Sequence, residues 1–288
     1  MKIILLATHT NPFFENTLSS LTTSGIIPSI LGQGEKWKGW KWRLEKYLDF
    51  CNVLLSQNVS KNEVCIFLDA FDVLCLRKDT VENFEKLFHN FNSDIVFSSE
   101  WWCMNKKNCG ITKRFSKKLE KHLKDEQLCV LESIESKNNT IWTSTENTSL
   151  NVNAGFVCGK LHALQQMYSD ILQENNLLVH TDFDDQKAIS VWIDSKKSQT
   201  LTLELDIEGI LCKTVNVFDV VINETGKVPF FLHFPGPMLK FGLFPHYQET
   251  ISKIKHYNSE NNSKTLNLFP IMVTILSILV TIFILSTD

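Results

Sequence analysis

Two aspartates that follow an apolar strand are the residues of this chain whose types and spacing most clearly predict chemistry. The run Val64–Leu68 is apolar without interruption, which is typical of a strand covered on both faces in a parallel sheet. Asp69 and Asp72 follow it, three residues apart. Ligands bind outside the carboxyl ends of strands in open α/β sheets, and two carboxylates there suit Mn²⁺ or Mg²⁺ carrying a phosphate-bearing substrate. The alternative is that both aspartates are turn residues that cap the next segment.

A second acidic cluster precedes a predicted helix. Asp182, Asp184 and Asp185 fall within residues 181–186, just before the apolar segment Ala188–Ile193. One carboxylate is enough to cap a helix N-terminus. Several together repel one another unless a cation or a hydroxyl-bearing acceptor uses them, and catalytic carboxylates are often clustered in this way. The cluster therefore indicates either a capped helix or a catalytic acidic site.

Two further polar residues lie at predicted strand ends. His233 ends a strand, and the following Pro235 and Gly236 force a turn. A histidine in this position is either structural or a metal ligand, and the aspartate pair elsewhere in the chain makes it a candidate third ligand. Asn153 lies in the small-residue stretch Val152–Phe156, where the backbone can approach a ligand and the amide can both donate and accept hydrogen bonds.

An alternation of strands and helices must position these residues. Strands are predicted at Ile3–Ala7, Val64–Leu68, Asp94–Ser98, Val152–Cys158 and Pro229–Leu232. Helices are predicted at Trp42–Gln57, Thr80–Phe91, Lys160–Glu174 and Asp184–Asp194. Such alternation predicts one α/β domain, residues 1–257, with a mostly parallel sheet flanked by helices. The segment 105–149, rich in Lys, Asn and Ser, is predicted to be a polar insertion with a helical piece near Ile111–Lys124.

Charge and cysteine content exclude several classes of function. A net charge of -3 and a pI near 6.3 provide no basic surface for nucleic acid. The eight cysteines include no C-x-x-C pair, which disfavours zinc sites and thioredoxin-type chemistry. Cys65, Cys75 and Cys158 lie in apolar runs and are predicted to be buried thiols. Reduced, cytosolic thiols are expected, with a loop disulfide between Cys103 and Cys109 as the alternative.

The two ends of the chain differ in character. The start, MKIILLATHTN, is predicted to be a first strand rather than a signal peptide, because its apolar run is short and no small-residue cleavage site follows. Leu268–Ser286 carries no charge over 19 residues, a helical length of about 28 Å that matches the hydrocarbon core of a bilayer. It is predicted to be a single-pass transmembrane anchor after a polar tether at 258–267, with the folded part in the cytosol and a lumenal location as the alternative. A buried core helix is the alternative.

Taken together and in this order, these elements resemble the glycosyltransferase domain of the procollagen-lysine hydroxylase/glycosyltransferase family. The resemblance runs from about Lys2 to Gly242. The matching pieces are ILLATHTN at the start, LGQGEKWKG at 31–39, FLDAFDV at 67–73, DIVFSSE at 94–100, VNAGFVCG at 152–159, DFDDQ at 182–186, LELD at 203–206 and HFPGP at 233–237. The resemblance implies a GT-A fold, which is a Rossmann-like nucleotide-binding sheet. It also implies a UDP-glucose or UDP-galactose donor held by Mn²⁺, or by Mg²⁺, and a hydroxyl acceptor such as hydroxylysine or another sugar.

The resemblance also assigns roles to individual positions. It implies that the metal ligands are Asp69, Asp72 and His233. It implies that the catalytic residues are Asp184, Asp185 and Asn153, with Trp101 or Trp102 also in the sugar site. It implies that the donor is bound by Thr8, Trp37, Asp69 and Phe71. The family has a longer glycine-rich loop after the tryptophan equivalent to Trp37, where a lysine reaches the donor phosphates. That loop is short here, so Lys38 or Lys41 is the candidate replacement, and Phe183 interrupts the acidic stretch.

Two other functions are alternatives. An Fe(II)/2-oxoglutarate oxygenase would use His180, Asp182 and His233, which satisfy the H-x-D…H spacing of a facial triad. That site belongs on a β-sandwich and needs a basic residue shortly after the distal histidine, where only Lys240 occurs. A non-catalytic sugar-nucleotide-binding module would keep the fold without turnover. The retained, clustered carboxylates favour an enzyme over such a module.

Overall fold

The computed structural model describes residues 1–77, 81–100, 114–115, 151–174, 183–215, 229–235, 245 and 247–252. Several sequence predictions therefore fall outside the described residues. They are most of the insertion 105–149, Trp101, Trp102, Cys103, Cys109, His180, Asp182, the tether 258–267 and the apolar segment 268–286. The chain divides into two compact units, Met1–Leu243 and Phe244–Asp288.

The first unit is a mixed α/β domain. Its described helices are α1 (Pro12–Thr23), α2 (Trp40–Ser56), α3 (Val81–Asn90), α4 (Leu161–Gln173) and α5 (Asp185–Ile193), with a 3-10 helix at Lys197–Thr200. Its described strands are β1 (Lys2–Leu6), β2 (Ser29–Leu31), β3 (Val64–Asp69), β4 (Val73–Cys75), β5 (Ile95–Glu100), β6 (Asn151–Lys160), β7 (Leu203–Asp206), β8 (Cys212–Thr214) and β9 (Phe231–His233).

Six of these strands form the central sheet, in the order β2-β1-β3-β6-β5-β7. β1 pairs in parallel with β2 and β3, and β5 pairs in parallel with β7. β6 lies between β3 and β5 and runs antiparallel to both. The sheet is therefore mostly parallel, as predicted, and the carboxyl ends of β1, β3, β5 and β7 meet at one edge.

β3 is buried on both faces, which confirms the prediction from its uninterrupted apolar run. Cys65 and Phe67 face one core cluster, which packs against α2, α4 and α5. Ile66 and Leu68 face the other cluster, which includes residues of α1 and α3. Phe67 is fully buried and lies 4.4 Å, centroid to centroid, from the ring of Tyr47. Burial of each such side chain contributes about 1.5–3 kcal/mol, so the site at the end of β3 rests on a rigid base.

A second, three-stranded sheet has the order β4-β9-β8. β4 and β9 are antiparallel with Val73 opposite His233, and β8 runs parallel to β9 with Thr214 opposite His233. Phe234 N donates a hydrogen bond of 2.8 Å to Asp72 O, which extends the pairing by one residue. This small sheet therefore brings the end of β9 beside the loop that follows β3.

The predicted elements correspond to observed ones, with shifted ends. The N-terminal run forms β1, as predicted, and the helix predicted from Trp42 begins at Trp40. The strand predicted at Pro229–Leu232 is β9, Phe231–His233, and His233 ends it, as predicted. The thiols of Cys65, Cys75 and Cys158 are free and buried, as predicted.

The second unit is described only at residues 245 and 247–252, and 247–252 are helical. None of the helices that the structure describes is both long and apolar enough to cross a membrane. The domain limits at 257 and 267 and the transmembrane anchor at 268–286 stay predictions.

Candidate functional site

Three elements bring Asp69, Asp72 and His233 together. Asp69 is the last residue of β3, Asp72 directly precedes β4, and His233 is the last residue of β9. The short turn between β3 and β4 places both carboxylates on the same edge of the central sheet. Since Val73 pairs with His233, the second sheet places the imidazole beside them. One potential ligand atom from each residue lies within 4.8 Å of the others.

The geometry of this cluster fits a cation. His233 Nε2 lies 3.5 Å from Asp72 Oδ1 and 3.6 Å from Asp69 Oδ2. Asp72 Oδ1 and both nitrogens of His233 are buried and have no hydrogen-bond partner among the described residues. Buried polar atoms in native proteins are normally paired. Two ligand atoms that share one divalent cation at about 2.1 Å each lie roughly 3–4 Å apart, so a cation would satisfy Asp72 Oδ1 and His233 Nε2.

The neighbouring charges affect both residues of the Asp72–His233 pair. Burial raises the pKa of Asp72 above its ordinary value, and His233 only partly opposes this. Burial tends to lower the pKa of His233, but the carboxylates of Asp72 and Asp69 raise it overall. A neutral imidazole and ionised carboxylates are the forms that bind a metal ion. Metal binding would therefore release protons from this pair.

Gly155 forms the floor of the cluster. It lies in β6, where the pairing with β5 shifts from Phe97–Val157 to Ser98–Asn153, so residues 154–156 bulge out of that ladder. A Cβ at Gly155 would overlap the His233 ring and would lie 2.8 Å from Asp69 Oδ2. A bulge commonly redirects side chains next to active sites. Here the glycine in the bulge leaves space for the side chains of the cluster. A side chain at position 155 would fill that space.

Arg43 of α2 connects the cluster to the acidic residues of α5. Its side chain is buried, and Nη2 lies 2.7 Å from Asp69 Oδ1 while Nη1 lies 3.4 Å from Asp185 Oδ2. Nη2 also donates to Ala154 O, and Nε donates to the hydroxyl of Tyr47, both at 3.0 Å. Burial tends to lower the pKa of Arg43, but the neighbouring Asp69, Tyr47 and Asp185 raise it above its usual value. The guanidinium is therefore a fixed positive charge.

Asp184 and Asp185 have different environments although they are adjacent. Asp184 is the N-cap of α5, and its Oδ1 accepts a 2.9 Å hydrogen bond from Lys187 N. Asp185 is buried, and its Oδ1 accepts a 2.9 Å hydrogen bond from Gln186 N. Burial raises the pKa of Asp185 to about 6, with Arg43 opposing the rise. The capping alternative thus describes Asp184, whereas Asp185 faces the buried side of the site.

A hydrogen-bonded network joins Asn153 to this region. Asn153 Nδ2 and Gln186 Nε2 each donate a 2.7 Å hydrogen bond to the carboxylate of Glu100. Asn153 Oδ1 accepts from Gly155 N at 2.8 Å, and Gln186 Oε1 accepts from Ala154 N at 3.2 Å. Burial raises the pKa of Glu100, and the two amide donors partly offset this rise. The network holds the bulge of β6 against the N-terminus of α5.

Thr8, Trp37 and Phe71 lie on loops at the carboxyl ends of β1, β2 and β3. Gly34 N donates a 3.1 Å hydrogen bond to Thr8 O, which ties the loop after β2 to the end of β1. Trp37 is 42% exposed, and its ring makes edge-on contacts with Trp40 and Trp42. Phe71 stacks on the imidazole of His9 with a centroid separation of 5.2 Å.

Lys41 makes its described ion pair away from the acidic cluster. Its Nζ pairs with Glu45 at 3.8 Å on the exposed side of α2, and both side chains are close to half exposed. Lys38 is also exposed. The described structure therefore places neither lysine in contact with Asp69 or Asp72.

Three residues, Arg43, Glu100 and Gln186, lie in the candidate site but were not predicted from the sequence. Glu100 and Gln186 lie within the quoted segments DIVFSSE and DFDDQ, so the signal was present but was given no role. Arg43 carries no local signal beyond its place in an amphipathic helix. Trp101 and Trp102, predicted for the sugar site, lie outside the described residues.

Similarity to known proteins is found in one family model and in solved structures. Residues 1–128 match the family model described as the PLOD GT domain. The search of curated proteins gave no match. Among solved structures, the chain is similar to a glycosyltransferase involved in the glycosylation of the major capsid of PBCV-1, at 12% identity, with 89% of this chain and 100% of that chain covered and a TM-score of 0.45. It is also similar to 2-C-methyl-D-erythritol 4-phosphate cytidylyltransferase of Francisella tularensis, at 11% identity, with 71% and 88% covered and a TM-score of 0.37.

The family match over residues 1–128 confirms the resemblance drawn from the motifs in that part of the chain. The matched range contains Asp69, Asp72, Arg43 and Glu100. Asp185 and the other predicted site residues from β6 onward lie beyond it, and the fold brings them to the same edge of the sheet.

Proposed function

We propose that this protein is a metal-dependent glycosyltransferase of the GT-A type that moves glucose or galactose from a UDP-sugar to a hydroxyl acceptor. The observation that carries the proposal is the buried cluster of Asp69, Asp72 and His233. Its unpartnered atoms lie at the carboxyl edge of the sheet, and its two aspartates lie in the part of the chain that matches the PLOD GT domain. An acceptor such as hydroxylysine or another sugar fits the same family.

Asp69, Asp72 and His233 would hold the cation, and oxygen-rich ligand sets of this kind suit Mn²⁺ or Mg²⁺. When bound, the divalent ion supplies positive charge against the diphosphate of the leaving group. The protein's part is to hold the carboxylates in place, and Arg43 and the close approach of Gly155 do so.

The loops after β1, β2 and β3 would bind the nucleotide. Trp37 offers an exposed aromatic ring for stacking on a base, and stacking of this kind contributes about 1–3 kcal/mol per base. Thr8 and Phe71 border the same edge. Lys41 could reach donor phosphates only by leaving its pair with Glu45, which is a weak exposed contact.

The acidic residues beyond β5 would act on the sugar and the acceptor. Asp185 has a pKa raised to about 6 by burial, so it is poised to exchange a proton near neutral pH. Asn153 and Glu100 offer amide and carboxylate groups that can hold sugar hydroxyls. Asp184 contributes by capping α5, which fixes the position of Asp185.

The position of His233 favours glycosyl transfer over the oxygenase alternative. Its imidazole lies beside Asp69 and Asp72 at the edge of a mixed α/β domain, which uses it in a different ligand set from the H-x-D…H triad. A non-catalytic binding module would share the same geometry, so only an activity assay distinguishes it from an enzyme.

The test uses the full-length protein, purified in mild detergent and freed of metal. UDP release from UDP-glucose and UDP-galactose is measured with and without Mn²⁺, in the presence of hydroxylysine peptides or sugar acceptors. The wild-type protein should release UDP and form a glycosylated product only with the ion. Asp72→Asn keeps the shape of the side chain but removes a charged ligand of the ion. Its turnover should fall at least about 100-fold, which corresponds to about 2.7 kcal/mol of lost transition-state stabilisation.

The matched control is Lys160→Met. Lys160 forms a 2.8 Å ion pair with Asp94 at the opposite end of β6, so its loss removes an ion pair of the same sheet away from the cluster. Its turnover should equal that of the wild type. Equal turnover with and without metal would overturn the proposal. UDP-sugar binding without transfer to any acceptor would favour the binding module, and 2-oxoglutarate turnover with Fe²⁺ would favour the oxygenase.

A further inference from the structure

Arg43 pairs with one carboxylate oxygen of Asp69, and the other oxygen faces His233. Oδ1 forms the 2.7 Å ion pair with the guanidinium, and Oδ2 lies 3.6 Å from His233 Nε2. A carboxylate held in this way presents one defined oxygen to the cluster. Without the guanidinium, rotation about the last side-chain bond would be limited only by weaker contacts. Arg43 therefore fixes which oxygen of Asp69 faces the proposed cation.

The same guanidinium reaches the acidic end of α5. Nη1 lies 3.4 Å from Asp185 Oδ2, an atom that accepts no hydrogen bond from the described residues. The planar guanidinium of arginine can pair with two carboxylates at fixed angles, whereas a lysine ammonium is a single point charge. One side chain of α2 thus fixes the distance between a proposed metal ligand and a proposed catalytic carboxylate.

Arg43 also offsets part of the negative charge of this group. Asp69, Asp72 and Asp185 carry three negative charges when ionised, Arg43 carries one positive charge, and the carboxylates of Asp184 and Glu100 lie close by. A divalent cation would offset part of the negative charge that remains. Replacement of Arg43 by a neutral residue would leave a buried excess of negative charge.

We propose that Arg43 is a positioning residue that aligns Asp69 for the metal and joins the metal site to Asp185. This inference rests on the proposed function. The competing explanation is that Arg43 serves only the packing of α2, since its guanidinium also lies over the ring of Tyr47 and donates to Ala154 O. A purely structural role predicts a loss of stability without a change in the metal affinity of the folded protein.

The test is the dissociation constant of Mn²⁺ in the metal-free, full-length protein, measured by the electron paramagnetic resonance signal of free Mn²⁺. Arg43→Lys keeps the charge and loses the planar guanidinium. It should bind Mn²⁺ about 10- to 100-fold more weakly, as is typical when a group that orients a metal ligand is altered. Lys160→Met, which breaks the ion pair with Asp94, should bind Mn²⁺ as the wild type does.

Thermal unfolding without metal is recorded in parallel for each variant. Arg43→Lys with a lowered melting temperature and unchanged Mn²⁺ affinity would overturn the inference. If Arg43→Lys does not fold, Tyr47→Phe carries the test, because it keeps every charge and removes only the hydroxyl that accepts from Nε. It should weaken Mn²⁺ binding by about fivefold, the equivalent of one net hydrogen bond. Wild-type affinity in Tyr47→Phe would likewise overturn the inference.

The outcome for the wild-type protein separates this inference from the proposed function. A wild-type protein that binds no Mn²⁺, with or without UDP, would refute the proposed function itself. A wild-type protein that binds Mn²⁺ as tightly as a folded Arg43→Lys variant would refute only the role of Arg43.

Discussion

Replacement of Asp185 by asparagine should stabilise the metal-free protein at neutral pH while removing most transfer activity. Asp185 is buried, and burial raises the pKa of its carboxyl group from 3.8 to about 6 even though Arg43 lies 3.4 Å away. The folded protein therefore disfavours the charged form of this side chain. An asparagine has almost the same shape and carries no charge, so it avoids this penalty.

The expected size follows from the linkage of proton binding to folding. Between pH 4 and pH 6 the folded state retains the proton of Asp185 and the unfolded state releases it, so the free energy of unfolding falls as the pH rises. A pKa raised from 3.8 to about 6 corresponds to about 3 kcal/mol. Asp185→Asn should therefore be no more stable than the wild type below pH 4. It should be more stable by up to about 3 kcal/mol at pH 7.

The assay is urea unfolding of both proteins in a chelator at pH values between 4 and 7. Asp184→Asn is the control, because Asp184 caps α5 and asparagine caps a helix about as well as aspartate does. Its free energy of unfolding at pH 7 should stay close to that of the wild type. UDP binding should be spared in Asp185→Asn while transfer is lost.

The opposite dependence would refute this reasoning. If Asp185→Asn is less stable than the wild type at pH 7, and the deficit shrinks as the pH falls, the carboxylate is a net stabilising partner of Arg43. Equal loss of donor affinity and rate would place Asp185 in the donor site instead.

Three further predictions concern other parts of the molecule. Gly155→Ala should weaken Mn²⁺ binding at least tenfold in calorimetric titration and lower the free energy of unfolding by about 1–3 kcal/mol, because its Cβ would meet His233 and Asp69. An unchanged Mn²⁺ affinity would mean that the cluster is not the metal site. Trp37→Ala should weaken UDP binding about tenfold or more in the same assay, with a change in unfolding free energy of about 1 kcal/mol or less, and equal UDP affinity would exclude the ring from the base site. The full-length chain should resist alkaline extraction from membranes because of segment 268–286, whereas recovery in the soluble fraction without detergent would contradict the anchor.

The pairing of Asp69 with Asp72 at one edge of the sheet could be predicted because its signals are local. A strand with one buried face alternates apolar and polar residues, whereas the run before Asp69 is apolar throughout. It therefore predicts a central strand and places the next polar residues at the edge of a sheet. The spacing of Asp69 and Asp72 then predicts two carboxylates on one turn. His233 has a weaker signal, and only the pairing of β4 with β9 shows that it joins them.

Other features depend on contacts between distant segments and have no local pattern. Arginine in an amphipathic helix normally faces solvent, as Lys41 does two residues before Arg43, and only the folded structure shows that Arg43 turns inward. Buried strands read the same in either direction, so the antiparallel course of β6 was not predictable from its composition. Strands of three residues, such as β4 and β8, are too short for periodicity to reveal.

The metal site can be located by anomalous X-ray scattering from crystals of the full-length protein grown with Mn²⁺ and UDP. One strong anomalous peak is expected at the manganese edge, about 2.1–2.3 Å from Asp69 Oδ2, Asp72 Oδ1 and His233 Nε2, in contact with the diphosphate. This peak should be absent in Asp72→Asn. Bound UDP with no anomalous peak at this cluster, or with the ion held by other residues, would contradict the proposed metal site.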